Sequence, residues 1–425
     1  MNDNVLYHAQ NWPAEKRKFA CIRSHVYWVK GARGAVPRLT ICVEPTDGLV
    51  IHWSSELERK VLIGDKVEII TSRLGQPMDE AFDRLYAAFF GKAPMLGDEF
   101  QVAALQYLDT HSGDATAHDR YFNCFTVIWN PLVSAGRLDL AENLWTFALG
   151  PVQQWEQAHP GQLVHKGTPY YFWAMTTLLR GNLDRGYVLM HQAFQEDALT
   201  SGQQTPDTPA YALVSLNYEQ PAQGFQSWVL EQASFFEGLV DDYATTHHRP
   251  LTIDDMRLKF LRKLPIIETV FLLTFTVARL KEISSLPDPA RRNPFAGQVQ
   301  MNLLFDLLLV VDNAIKHKNP AQWKFIHHAK HLLHCAGHGL ALNQLQEVNR
   351  QFDDDFNATL KAALDGTLTV HSIVLDRLQC DVAVAYGLRN RGAHEIETVS
   401  TIWNDFDRVL RAVFRTLCAT IDHLY

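Results

Sequence analysis

The chain of 425 residues carries 39 basic and 47 acidic side chains, for a formal net charge of −8, with 47% hydrophobic and 20% charged residues. That composition excludes a disordered chain and a generally polycationic nucleic-acid binder. Any nucleic-acid contact has to come from a local basic patch. At roughly 100–200 residues per domain, the length predicts two to four domains.

The six cysteines, at 21, 42, 124, 335, 380 and 418, are scattered, and none forms a C-x-x-C pair, which excludes zinc-ribbon and thioredoxin patterns. The polar start Met1–Asn4 lacks a basic region followed by an apolar one. Together these features predict reduced thiols in a cytoplasmic protein without a secretory leader. The most apolar stretch, Leu264 to Leu280, spans 17 residues and includes Pro265 and Glu268. It predicts a buried core helix, not a membrane span; Leu303 to Val311 is a shorter second stretch.

In chain order, Phe19–Val29, Leu39–Val43, Leu49–Trp53 and Lys60–Ile70 are rich in β-branched and aromatic residues. Turn chemistry at Gly31, Gly34, Pro37, Pro45–Gly48 and Gly64–Asp65 separates them, which predicts a small β-rich module over residues 1–75. From Met78 the period becomes helical, with Ala81, Phe82, Leu85, Ala88 and Phe89 at three- and four-residue steps. Residues 76–290 then read as a region of helical hairpins. Ala135-Gly136-Arg137-Leu138-Asp139 and Arg180-Gly181-Asn182-Leu183-Asp184 lie 45 residues apart, and each enters an apolar helix. This pair resembles the turns of tetratricopeptide-type repeats; unrelated helical hairpins are the alternative. Loops are predicted at Ser201–Pro209 and at the proline-rich stretch Ser284–Pro294. The second is read as a linker before a helical domain over residues 296–425.

The sharpest pattern lies in that last segment. Arg389-Asn390-Arg391-Gly392-Ala393-His394 follows an apolar helix carrying Val382, Val384, Ala385 and Leu388, and precedes a long helix over Val399–Leu424. RNA brings its own nucleophile, the 2′-hydroxyl. The protein has to move a proton and stabilise charge on the phosphate. Histidine titrates near neutrality and suits the first task; the guanidinium fork of arginine suits the second. Arg389 and His394 are five residues apart, a turn of about 140° on a regular helix. They share a face only if the helix starts, ends or kinks there, for which Gly387 and Gly392 are suited.

The R-N-x-x-x-H spelling resembles the signature of the HEPN superfamily. The resemblance covers about the last third of the chain. It implies a C-terminal HEPN helical bundle within a mainly α protein that begins with the β-rich module. It also implies a metal-independent endoribonuclease with no cofactor, in which Arg389 stabilises the phosphate, His394 shuttles the proton and Asn390 orients them. The expected product carries a 2′,3′-cyclic phosphate or its hydrolysis product. By the same resemblance the protein is expected to form a homodimer with a composite active site and to act in prokaryotic defence or stress. Toxins, abortive-infection proteins and CRISPR ancillary ribonucleases are the reference cases. The preceding 300 or so residues would then sense a regulatory ligand, an antitoxin or another partner. No membrane partner is expected. The alternatives are a non-catalytic scaffold whose helical end only dimerises or docks a partner, and a non-catalytic RNA-binding HEPN protein.

Supporting positions are Arg391, inside the motif, and Arg408, Arg411 and Arg415, at i, i+3 and i+7 on the last helix. That basic stripe could track an RNA backbone; a solvated face of an amphipathic helix is the plainer reading. His327, His328, His331, His334, Cys335 and His338 crowd one helix. They read as a polar helix face, with metal ligation as the alternative, since no H-E-x-x-H and no nearby carboxylate complete a set. Asp353-Asp354-Asp355 reads as a charged helix start. Walker A, G-x-G-x-x-G and G-x-S-x-G patterns are absent, which excludes the enzyme classes built on them.

Overall fold

The computed structural model describes residues 74–90, 97–201, 208–217, 226–322, 324–391, 402 and 404–425, together with the backbone of three strands before residue 74. Strands β1 (His25–Val29), β2 (Arg38–Cys42) and β3 (Val50–Trp53) pair antiparallel in that order, with Trp28 opposite Leu39 and Ile41 opposite Ile51. The strand expected over Lys60–Ile70 lies outside the described residues. From Met78 onward the described chain is mainly helical. It divides into two compact units: Met1–Arg180 with Gln195–Gly202, and Gly181–Phe194 with Gln203–Tyr425.

The helices of the first unit are α1 (Met78–Phe89), α2 (Gly97–Thr110), α3 (Ala115–Ser134), α4 (Leu138–Ala158) and α5 (Gly167–Leu179). The Asp114 carboxylate caps α3 by accepting from the Ala117 amide at 3.1 Å, which satisfies a donor that the helix leaves open. Gly136, at φ 69°, closes α3: the Arg137 amide returns to the Leu132 carbonyl at 2.8 Å, and α4 starts two residues after the glycine. The core is aromatic. Phe82, Phe100, Tyr121, Phe125, Trp129 and Trp145 are buried, and the Phe82 and Phe125 rings meet edge to face at 5.4 Å. Each such ring contributes roughly 2–3 kcal/mol as area removed from water. Two of their polar atoms are hydrogen-bonded: the Trp129 indole donates to Thr176 Oγ1 at 2.8 Å, and the Tyr121 hydroxyl to the Ala148 carbonyl at 3.0 Å, whereas the buried Trp145 indole N–H has no partner.

The next helix, α6 (Leu183–Ser201), is divided between the units, its residues from Gln195 onward belonging to the first. The turn before it again holds glycine at positive φ, with Gly181 at 79°. The second unit continues with α7 (Pro209–Val214), α8 (Gln226–His247), a single turn at Ile253–Met256 that runs into a π-helical turn at Arg257–Leu261, and α9 (Ile267–Ser284). It goes on through α10 (Pro294–Lys318), α11 (Phe325–Cys335), α12 (Leu342–Asp354), α13 (Phe356–Asp365), the two-residue strands β4 (Thr369–Val370) and β5 (Ile373–Val374), α14 (Arg377–Arg391) and α15 (Phe406–Leu424).

The apolar stretch at 264–280 opens on a 3-10 turn at Leu264–Ile266 and continues in α9, and that at 303–311 falls in α10; α9 and α10 pack on each other, and α10 also packs on α15. α10 is long and apolar enough to cross a membrane by length and composition, but 50% of its apolar window is buried inside the structure. Leu303, Leu304, Leu307, Leu308, Val310 and Val311 form its inner face. The proline-rich stretch between α9 and α10 is held within this unit. Asn293 caps α10 through the Ala296 amide at 2.9 Å, and the Arg291 guanidinium reaches Asp407 at 3.3 Å.

Two expectations are corrected locally. Asp353-Asp354-Asp355 is not one helix start: Asp353 and Asp354 end α12, and only Asp355 is a cap, accepting from the Ala358 amide at 2.9 Å. Gly387 does not kink its helix; α14 runs through it to Arg391. A Cβ on Gly387 would stand 2.7 Å from the Phe352 ring, so the glycine lets α12 pack closely onto α14.

Candidate active site

Three elements of the second unit bring polar side chains to the end of α14. Arg389 lies in its last described turn, 36% exposed, with Nη2 4.0 Å from Asp312 Oδ2 on α10. Its Nε is buried and has no hydrogen-bond partner. The other oxygen of Asp312 sits 2.5 Å from Nδ1 of His328, a fully buried ring on α11 whose Nε2 lies 3.1 Å from the Gln322 carbonyl oxygen. Asp312 thus stands between a buried imidazole and a part-exposed guanidinium. Asn390 is exposed and donates from Nδ2 to Asn349 Oδ1 at 2.6 Å; Asn349 in turn donates to Asp353 Oδ2 at 2.9 Å. Burial raises the Tyr386 hydroxyl above the usual phenol range, against a hydrogen bond from Asn390.

The structure therefore brings Arg389 and Asn390 to one helix end. The side chain of Arg391 and residues 392–401, His394 among them, lie outside the described residues. A part-exposed guanidinium whose nearest carboxylate is 4.0 Å away is chemically suited to a phosphate oxygen. Asp312 and Asn349 were not anticipated from the sequence. The one available signal was a carboxylate inside an otherwise apolar helix.

The basic stripe on α15 requires correction. Arg415 is buried and forks onto both oxygens of Asp381 at 2.7 Å, with its third nitrogen 2.8 Å from Asp242. Asp381 also receives His247 Nε2 at 2.9 Å and Arg377 at 3.3 Å. A guanidinium enclosed by two carboxylates offers nothing to RNA, so Arg415 is not a backbone contact. Arg411 pairs with Asp242 and Arg408 with Asp365, both at 2.6 Å. Their exposed heads are already matched by acids. The stripe faces acids of α8, α13 and α14, which it neutralises. Burial works against ionisation of Asp242, but Arg415 and Arg411 hold its carboxyl below the usual range.

The histidine helix divides as well. His328 is taken inward, whereas His334 and His338 remain exposed, with His338 Nδ1 2.8 Å from Asp376. Among the described residues no group of three or more His, Cys, Asp or Glu is placed to hold a metal ion. A groove of about 470 Å³ between α1 and α2 is walled by Glu80, Asp98 and Glu99, and its one cation, Arg84, is paired with Glu99. That acidic wall is unsuited to a nucleic-acid backbone.

Compared with known proteins, the chain matches no family model, and no curated protein or solved structure matches it.

Proposed function

We propose that the chain is a HEPN-type, metal-independent endoribonuclease whose reacting groups are Arg389, Asn390 and His394. The observation that carries this reading is the part-exposed guanidinium of Arg389, held by one long contact with Asp312 and unpartnered at Nε, next to Asn390 at the end of α14 and five residues before His394. The 2′-hydroxyl attacks the adjacent phosphorus, the bond to the 5′-oxygen breaks, and a 2′,3′-cyclic phosphate remains. His394 handles the proton and Arg389 the charge on the phosphate oxygens. Asn390, anchored by Asn349, fixes the end of the helix. Two copies meeting at this end would form a composite site in a homodimer. The β-rich module over 1–75 and the hairpin region over 76–290 would hold the nuclease domain over 296–425 in check until a ligand or partner releases it. We place this activity in the cytoplasm, in defence or stress.

The test compares wild type with His394→Ala on a labelled mixed-sequence RNA in EDTA. Wild type is expected to cut, and the variant to be slower by about 10²–10⁴-fold, the usual contribution of a general acid or base. No cutting by either chain, with both folded and dimeric, would leave an enzyme still held in check or the scaffold reading. Equal cutting by both would place the activity outside this motif.

A further inference from the structure

The cations that the sequence pattern singled out are matched by acids, but others in the same unit are not. Lys316 and Lys318 at the end of α10, with Arg262 and Lys263 after the π-helical turn, are exposed, and none pairs with a carboxylate among the described residues. The two groups adjoin. The Tyr425 ring packs edge-on against Phe260 at 5.4 Å, carries Lys318 Nζ over its face at 4.2 Å, and lies parallel to the exposed His317 ring at 6.2 Å. The Tyr425 hydroxyl donates to the Ala314 carbonyl at 2.9 Å, which fixes the ring against α10. Lys259, on the π-helical turn, and Arg249 both bear on one nearly buried carboxylate, Asp422, at 3.8 and 2.6 Å.

This surface is continuous with the candidate site. Lys316 follows Asp312 by four residues, so it lies one turn along the same face of α10, a rise of about 6 Å. Asp312 is the residue beside Arg389. In a chain of net charge −8, such a run of unmatched cations favours a polyanion at this surface.

We propose that the surface formed by Lys316, His317 and Lys318 with Arg262 and Lys263 holds the sugar–phosphate backbone of a single-stranded RNA and leads it to Arg389. The lysines and the arginine contact phosphates. The His317 ring, backed by Tyr425, offers a platform for a base, the combination of cations and flat rings by which single strands are held. The ribonuclease reading enters only in naming RNA as the polymer and Arg389 as its destination. A lipid surface fits less well, because Leu258 is the one large apolar side chain exposed on this turn.

The test measures anisotropy of a fluorescein-labelled single-stranded RNA on full-length His394→Ala, which removes any cutting, across a salt series. Lys263→Glu/Lys316→Glu/Lys318→Glu is expected to weaken binding about tenfold or more. It should also make the log K against log salt slope shallower by about 2, at about 0.7 for each phosphate no longer neutralised. Lys263→Gln/Lys316→Gln, which keeps Lys318 over the Tyr425 ring, should move both quantities the same way by less. Exposed Lys361→Glu, on α13, should leave both unchanged. RNA binding with the wild-type slope by a triple variant of wild-type circular dichroism would overturn the proposal. So would absence of RNA binding together with sedimentation on phosphatidylserine vesicles. If wild type and His394→Ala cut RNA equally but the triple variant still loses binding, the nuclease reading of the motif falls and the backbone track stands.

Discussion

Asp312 carries two jobs at one carboxylate: one oxygen meets a buried imidazole and the other faces a guanidinium. Asparagine has nearly the same shape but lacks the charge. Asp312→Asn would therefore put a neutral amide in place of the carboxylate that His328 meets in a dry site, and remove the charge that faces Arg389. Hydrogen bonds to charged groups are worth about 1.5–3 kcal/mol each, so a loss of about 2 kcal/mol in urea unfolding is expected. An unchanged urea midpoint would mean that the carboxylate does not hold His328. On the ribonuclease reading, cleavage by the variant should fall further than stability alone explains. Arg389 and Asn390 were legible because their residue types and spacing match a chemical task. Asp312 was not, because nothing local in α10 distinguishes a carboxylate facing a distant histidine from one facing water. His328 was hidden among neighbours of its own type. Only burial separates it from the exposed His334 and His338.

The packing of α12 on α14 rests on a missing methyl group. Gly387 is mid-helix, where alanine would ordinarily stabilise by about 1 kcal/mol. Here the added Cβ meets the ring of Phe352, a buried side chain that already packs on Phe356 at 5.5 Å. Overpacking costs about 1–3 kcal/mol, so it outweighs the propensity gain. Gly387→Ala should lower the denaturant midpoint, and Phe352→Leu in the same chain should recover part of the loss. Additive effects of the two substitutions would show that the residues do not touch. Helices themselves were legible from period: α1, α9 and α10 fall where apolar residues recur at three- and four-residue steps. Their partners were not. The i, i+3, i+7 arginines of α15 look like a solvated stripe in one dimension, and only the folded unit sets Asp242 and Asp381 against them. The same limit hid the turn after α9, whose prolines read as a linker although Asn293 and Arg291 tie it down.

Each unit places charge where water is scarce, and the pH response of each depends on which charges those are. In the first unit His165 lies between Asp119 and Asp197, 2.9 Å from an oxygen of each, while Lys166 sits between Glu156 and Glu196 at 2.5 and 3.1 Å. Hydrogen bonds to Asp119 and Asp197 outweigh burial and raise His165 from 6.5 to about 9. A raised histidine stabilises the fold fully below its unfolded value, and that contribution is lost as pH rises through the folded one. The window is therefore about pH 6.5 to 9, and the displacement corresponds to about 3 kcal/mol. His118, which burial holds below its ordinary value, acts on the acid side of that window. Buried Tyr107, pushed up to about 12, ionises only in the unfolded chain near pH 10, beyond the window. In the second unit the sign is reversed. Burial opposes ionisation of Asp422, yet Arg249 and Tyr243 hold its carboxyl below the usual range, as Arg415 and Arg411 do for Asp242. Those contributions are present above the ordinary carboxylate value and are lost as pH falls through the lowered ones. Urea unfolding followed by amide protection in α3 and α4 should show the first unit weakening from pH 7 to 9. In His165→Gln the loss over that interval should vanish, because glutamine keeps a hydrogen bond but carries no proton to lose. Protection in α15 should be insensitive to the substitution and weaken at acid pH; burial pushes the Cys380 and Cys418 thiols up, so a second loss there begins only as pH rises past the ordinary thiol range. An equal alkaline loss in wild type and His165→Gln would show that His165 is not charged in the folded chain.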